Sequence, residues 1–348
     1  MLRTSTLILS AATLSVGFGI APQVKAQAAP PHGHGNPAAQ LDAAERAQAK
    51  AGIFASSQIT RRFAPVSNAL SLPGAPASAE ATPQGLAGGD EALLEGWTVW
   101  GSLVGRATEN NFAPEEEDSD IWTVSLGMDR PVSETVTLGV SITATTEDAT
   151  TAFGTGSRDA GSVFIAPYAN FKLNDWLSAD ISFGYGFTDT DQRRTAGGAP
   201  VTGSYDSDTL FGAANLTASK WNGAWLMSGV VGLSASSTDR ETFVESDGTV
   251  NPSDTSDLVQ GRIGGTIGYW AKPMLPYVSA EYAYDFDHDR STVAGAPNDR
   301  DEFRVTLGSH IYGTGDNENL SGGFSITHAF GRDSKDDTSA NFSLRIAF

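Results

Sequence analysis

Residues 340–348 read ANFSLRIAF, with Ala340, Phe342, Leu344, Ile346 and Phe348 alternating with Asn341, Ser343, Arg345 and Ala347. A strand sends successive side chains to opposite faces, so this segment has one apolar and one polar face. At the edge of a soluble sheet such a strand invites pairing with other chains. It fits the closing stave of a barrel whose outside touches lipid. The same alternation recurs back to Gly96. In the second such segment Trp122, Val124, Leu126 and Met128 oppose Thr123, Ser125, Gly127 and Asp129. In the fifth, Ile181, Phe183, Tyr185 and Phe187 oppose Ser182, Gly184 and Gly186; in the tenth, Phe303, Val305 and Leu307 oppose Arg304 and Thr306. The seventh, from Ala224, does not declare its faces. About twelve strands can be counted, an even number, as in single-chain bacterial barrels.

The connections alternate in length. Short ones carry Pro131, Asn174-Asp175, Asn222-Gly223, Lys272-Pro273 and Gly315-Asp316. Long polar ones span 109–118, 149–158, 194–203, 241–255 and 291–300. Outer-membrane barrels put short turns in the periplasm and long loops outside. On that assignment Trp97, Trp176, Trp221, Trp225 and Trp270 fall at periplasmic ends, where amphipathic rings form a belt. Trp100 and Trp122 fit that belt less well. A soluble β-sandwich would alternate too, but would not combine the belt, the loop asymmetry and the terminal strand.

Composition agrees. Mean hydropathy is -0.20, and no interior run approaches the roughly 20 apolar residues of a spanning helix. A barrel hides its apolar content by alternation, so a polar average does not exclude the membrane. There are no cysteines, hence no disulfide framework and no thiolate metal site. A net charge of -19 argues against nucleic acid as a partner, and implies that contact with anionic headgroups needs bridging cations.

Residues 1–28 read as a secretory signal, with Arg3 at the start, an apolar stretch over 7–21 and small residues around Ala26 and Ala28. Residues 29–95 form a short N-terminal segment. It opens with a Pro/Gly/Ala stretch bearing His32 and His34, too few ligands for a metal site. Residues 40–64 predict a helix rich in Ala, Glu, Arg, Gln and Lys, stopped by Pro65. Its apolar stripe, including Ile53, Phe54, Ile59 and Phe63, is too thin to build a core. It suits a helix that lies exposed, binds a chaperone or threads a polar pore. Residues 66–95 return to linker composition. The barrel domain is expected over 96–348.

The segments GWTVWGSLVG (96–105), DSDIWTVSLGMDRPV (118–132), TLGVSITAT (137–145), APYANFKL (166–173), PYVSAEYAYDF (276–286) and the terminal SLRIAF together resemble the translocator barrel of bacterial autotransporters, the type V secretion family. The resemblance implies an all-β transmembrane fold, a twelve-stranded antiparallel outer-membrane β-barrel preceded by an α-helix in or near the pore. It implies outer-membrane lipid and lipopolysaccharide as surroundings, and the barrel-assembly machinery and periplasmic chaperones as partners in biogenesis. The chain is expected to be a monomer. The family usually carries a large passenger between signal and barrel; here only 29–95 is available. Some members cleave the passenger at an asparagine in the linker helix. Residues 40–64 contain none, so no cleavage site is carried over.

Three sets of residues are candidates for function. Arg262, Glu281, Arg304 and Arg345 face inward by alternation, and are expected to form a salt-bridge ladder or to hold the helix in the pore. Asp285, Asp287 and Asp289 share an EF-hand-like spacing, but Arg290 stands where glycine is needed and no glutamate closes the loop. They read as an acidic outer rim with some capacity for divalent cations. A protease of the outer-membrane type would need a histidine beside carboxylates. His288 is turned away from the aspartate face, His310 lies toward the periplasmic end, and no nucleophile elbow or zinc-binding pair is present. No catalytic residue, metal site or cofactor is therefore assigned. The expected function is a polar conduit for the chain's own short N-terminal segment, with a passengerless pore or structural surface protein as the alternative and a protease as a distant one.

Overall fold

The computed structural model describes residues 37–63, 96–112, 116–151, 156–288 and 300–348. Among these, one helix, α1 (Pro37–Phe63), precedes the strands. They are β1 (Thr98–Asn110), β2 (Glu117–Pro131), β3 (Val136–Thr151), β4 (Gly156–Lys172), β5 (Leu177–Ala196), β6 (Ala199–Asn222) and β7 (Trp225–Arg240). A short ribbon, β8 (Phe243–Val244) and β9 (Val250–Asn251), follows. Then come β10 (Asp254–Tyr269), β11 (Met274–His288), β12 (Asp301–Tyr312), β13 (Leu320–Arg332) and β14 (Lys335–Ala347).

Twelve strands, all but β8 and β9, close into one antiparallel barrel. The terminal segment does close it: β14 pairs with β1 from Thr98↔Ala347 to Asn110↔Lys335. Closure leaves no strand edge unpaired. Alternation then sorts the side chains. On β2, Trp122, Val124 and Leu126 are exposed on the outside, while Thr123, Ser125 and Asp129 are buried. On β5, Ile181, Phe183, Tyr185 and Phe187 point out and Ser178, Asp180 and Ser182 point in. The result is an apolar outer band over a hydroxyl-rich lumen. Across the inner wall hydroxyls pair between strands, as in Ser125–Thr143 (2.9 Å) and Thr209–Thr238 (2.8 Å).

The largest inward rings stand over glycines of the next strand. Trp100 is opposite Gly127, Tyr168 opposite Gly139, Phe164 opposite Gly186 and Phe211 opposite Gly184. A Cβ on Gly127 would lie 2.4 Å from the Trp100 ring, so the glycine is what lets the indole lie flat against the wall. Trp100, the poor fit to the periplasmic belt, is thus an inward residue. Its Nε1 donates to Tyr168 Oη at 2.7 Å, and Tyr168 Oη donates to Asp129 at 3.0 Å.

Two expected loops differ. Residues 194–203 form the tip of a hairpin, because β5 and β6 remain paired to Ala196↔Ala199. Gly197 and Gly198 make the turn at φ 58° and 85°, the doubly positive geometry of a two-residue hairpin loop. This hairpin outruns its neighbours: β6 pairs with β7 only from Ser207 onward. The 241–255 segment is partly folded as the β8–β9 ribbon. The expected tight turn at Gly315-Asp316 opens into a 3₁₀ turn, Gly315–Asn317.

Candidate functional site

The lumen is the site, and α1 occupies it. The helix packs with Leu41, Ala44, Ala49, Gly52, Ala55 and Ile59 against the β4–β7 wall and β10. With the buried Gln48, residues 41, 44, 48, 52, 55 and 59 recur at three- and four-residue spacing, so they form one face, which Ala49 flanks. Small residues allow the close approach: a Cβ on Gly52 would stand 3.0 Å from Thr209 Cγ2 and 3.2 Å from Phe211 Cβ. Ala55 and Ile59 join Trp100, Phe164, Tyr168 and Phe211 in an apolar cluster. Polar groups tie the same face down. Gln48 Nε2 donates to Thr190 at 3.0 Å, Ser207 donates to Gln48 Oε1 at 2.7 Å, and Ser236 donates to the Ala49 carbonyl at 2.7 Å. The packing stripe therefore differs from the one read in sequence. Ile59 belongs to it, but Ile53 and Phe54 look into the open part of the lumen.

The helix has a direction. Leu41 lies with Tyr205 of β6 and Phe243 of the ribbon, at the mouth where the long connections emerge. Ile59 lies with Trp100, near the short-turn end where β1 begins. At the long-loop mouth, Tyr205 and Phe243 stack at 4.8 Å, and the Arg240 guanidinium sits over both rings at 5.7 and 5.3 Å. The ribbon is pinned to the hairpin by Arg194, which donates from Nε (3.0 Å) and Nη2 (2.5 Å) to Glu245. That hydrogen bond raises the Arg194 pKa above its ordinary value. Within the ribbon, the Thr249 backbone N–H donates to Asp247 at 2.9 Å and holds that carboxyl below the usual carboxylate range.

Across the lumen from the helix face runs a charge ladder. Asn215 donates to Asp180 and accepts from Arg262; Arg262 and Arg304 both donate to Glu281, at 3.3 and 2.9 Å. Arg304 pairs onward with Glu302, Glu302 with Arg332 at 2.9 Å, and Arg332 with Asp285 at 2.8 Å. Gln260 completes it, donating to Asp285 at 2.7 Å. The ladder thus unites Arg262, Glu281 and Arg304 and extends to Glu302, Arg332 and Asp285. Arg345 lines the same open space nearer the short-turn end.

Asp285 is fully engaged in this ladder and only 1% exposed. A bulge between Val259 and Gln260 shifts the register, pairing Gln260 with Asp285 and Val259 with Asp287. Asp287 is therefore exposed, off the face that holds Asp285. Asp289, like His32 and His34, lies outside the described residues. Among the described residues no group of three or more His, Cys, Asp or Glu is placed to hold a metal ion. His310 stacks on Tyr277 at 4.9 Å in the lumen wall.

Two further charged sets escaped the sequence reading. Arg158 is bidentate to Glu117 (2.9 and 3.0 Å) and also donates to Glu147 at 2.8 Å. Arg106 pairs with Asp337 across the β1–β14 closure. Carrying the β4 alternation back from Phe164 through Ser162 would have turned Arg158 inward; the stretch was read as loop.

A family model described as autotransporter beta-domain matches residues 99–315. No curated protein matches the chain. Among solved structures, the chain is similar to the translocator domain of the autotransporter NalP from Neisseria meningitidis. The two are 14% identical with a TM-score of 0.67, covering 88% of this chain and 100% of that one. It is also similar to the β-domain of the Bordetella autotransporter BrkA, at 16% identity and TM-score 0.61 over 73% and 100% of the two chains. The transport unit of AIDA-I from Escherichia coli follows, at 14% and 0.58 over 72% and 90%.

Proposed function

The chain belongs to the autotransporter β-domain family, and from that premise we propose that its barrel serves as the conduit through which its own N-terminal segment reaches the cell surface. Domains of this family reside in the outer membrane of Gram-negative bacteria and are transport barrels. The observation that carries the proposal is the direction of α1. Its N-terminal part, at Leu41, lies at the long-loop mouth beside Tyr205 and Phe243, while β1 starts at the opposite end. In this reading the segment that precedes Pro37 is delivered to the outer side. In this reading residues 1–28 direct export across the inner membrane. Assembly machinery and chaperones insert the barrel, its apolar band meets lipid and lipopolysaccharide, and it works as a monomer.

The test is surface protection. An epitope beside Asn36 is expected to be reached by antibody and protease on intact cells. A tag reached only after permeabilisation, in a barrel shown to be folded, would exclude export. The second reading, a passengerless pore, draws on the open space that α1 leaves along β10–β14.

A further inference from the structure

The helix is packed to one side. Opposite its Phe54, Ser57 and Gln58 a cavity of about 300 Å³ remains, bounded by β10–β14 and β1. That volume lies at the lower end of the range for sites that enclose a small organic molecule. Toward the long-loop mouth its wall is charged, but the charges answer one another. Arg106 is matched by Asp337, Arg262 and Arg304 share Glu281, Arg304 and Arg332 share Glu302, and Asp285 closes the series on Arg332. Guanidiniums and carboxylates so paired leave little net attraction for a ligand charge of either sign.

Toward the short-turn end the lining turns to hydroxyls and amides around Arg345: Ser102, Ser325, Asn341 and Ser343 of the wall, and Gln58 of the helix. Gln58 is only 4% exposed. Its Oε1 accepts from Asn341 Nδ2 in a long contact of 3.5 Å. Among the described residues its Nε2 has no hydrogen-bond partner, and neither do the buried hydroxyls of Ser102 and Tyr312. A buried donor without an acceptor costs about 1–3 kcal/mol, so three of them on residues that line one cavity point to an occupant rich in oxygen. Tyr277 adds a flat surface. It lies over Gly308, where a Cβ would stand 2.7 Å from the tyrosine, and it stacks with His310 at 4.9 Å. A sugar ring suits both features, because its hydroxyls donate and accept around the rim and its C–H face packs on an aromatic ring.

We infer that the short-turn end of this cavity binds a small neutral polyhydroxylated ring of monosaccharide size, with Gln58, Ser102 and Tyr312 supplying donors and Tyr277 the apolar face. This goes beyond the export reading and holds whether or not the N-terminal segment reaches the surface.

The experiment uses the full chain, folded in a detergent without a sugar headgroup and titrated with D-glucose, with saturation-transfer NMR as the readout. Transfer to the glucose ring protons is expected. Two helix variants then locate the site. Gln58→Leu removes the amide, and Ser57→Phe fills the cavity from the helix side without touching a strand. Each is first shown to keep the barrel folded and α1 protected from protease, and each should weaken binding about tenfold or more. Arg193→Gln, on the outside of the hairpin, should leave it unchanged. Cyclohexanol tests the need for hydroxyls, since a site built to hydrogen-bond rejects an analogue that lacks them. Gluconate and glucosamine test neutrality. All three should bind more weakly than glucose. The inference is overturned by a folded native chain that gives no transfer to glucose, or by transfer that survives both Gln58→Leu and Ser57→Phe. Binding of cyclohexanol, gluconate or glucosamine as tight as that of glucose overturns it as well.

Discussion

At the scale of single residues, the inner wall is decided by which side chains can lie flat and which charges have partners. Gly127→Ala would place a methyl 2.4 Å from the Trp100 ring, forcing the indole off Tyr168. Overpacking of this kind costs about 1–3 kcal/mol, and urea unfolding followed by tryptophan fluorescence should show a loss in that range. Gly161→Ala is the contrast, since nothing lies within 4 Å of the added atom; it should be neutral or stabilise by about 0.5–1 kcal/mol. Glu281→Ala tests the ladder, because it would leave Arg262 and Arg304 facing each other. Removing one partner of a buried pair costs about 3–5 kcal/mol. Water in the lumen reduces this, so a loss of about 1–3 kcal/mol is expected in the same measurement. Arg262 and Glu281 were legible in the sequence because strict alternation turns them inward. The link from Asp285 to Arg332 was not, because a register shift between Ala329 and Arg332 breaks the two-residue period of β13 and no propensity announces such an irregularity.

At the scale of elements, the long-loop mouth is built from a hairpin and a ribbon that composition had disguised as loops. Residues 194–203 contain Gly197 and Gly198 among polar neighbours, and a polar strand outside the apolar band reads like a loop when only apolar alternation is followed. The paired glycines were the available signal. The ribbon is held by Arg194, Glu245 and Asp247, so it should respond to acid. The folded-state pKa of Asp247 lies below its ordinary value. Its contribution is therefore complete above the unfolded carboxylate value and fades as pH falls through the lowered folded one. Hydrogen exchange at the Thr249 amide, corrected for the intrinsic pH dependence, should lose protection in that acidic window. Asp247→Asn should remove most of that pH dependence; an unchanged profile would assign the transition to another group. The helix shows the opposite limit. Its existence followed from composition, but its packing face did not, because Gly52 and Ala55 contribute fit to Thr209 and Phe211 rather than hydrophobicity.

At the scale of the whole molecule, twelve strands, the faces of the clearly alternating ones and the closing role of β14 follow from period-two patterning, while the seventh strand stays ambiguous. The position of α1 does not, because a helix with so few apolar residues is consistent with several surroundings until the wall it meets is known. The two parts are asymmetric in their dependence. Every barrel strand is paired on both sides by other strands, and the β1–β14 seam contains no helix residue. The helix, by contrast, gains its burial only from the wall. A chain lacking residues 37–63 is therefore expected to close and insert, keeping the heat-dependent shift in electrophoretic mobility of a folded barrel. Its lumen would lose the occupant of the β4–β7 side, so conductance should rise well above that of the intact chain. Failure of the shortened chain to show the mobility shift would mean that Gln48 and Ile59 help form the wall as well as fill it.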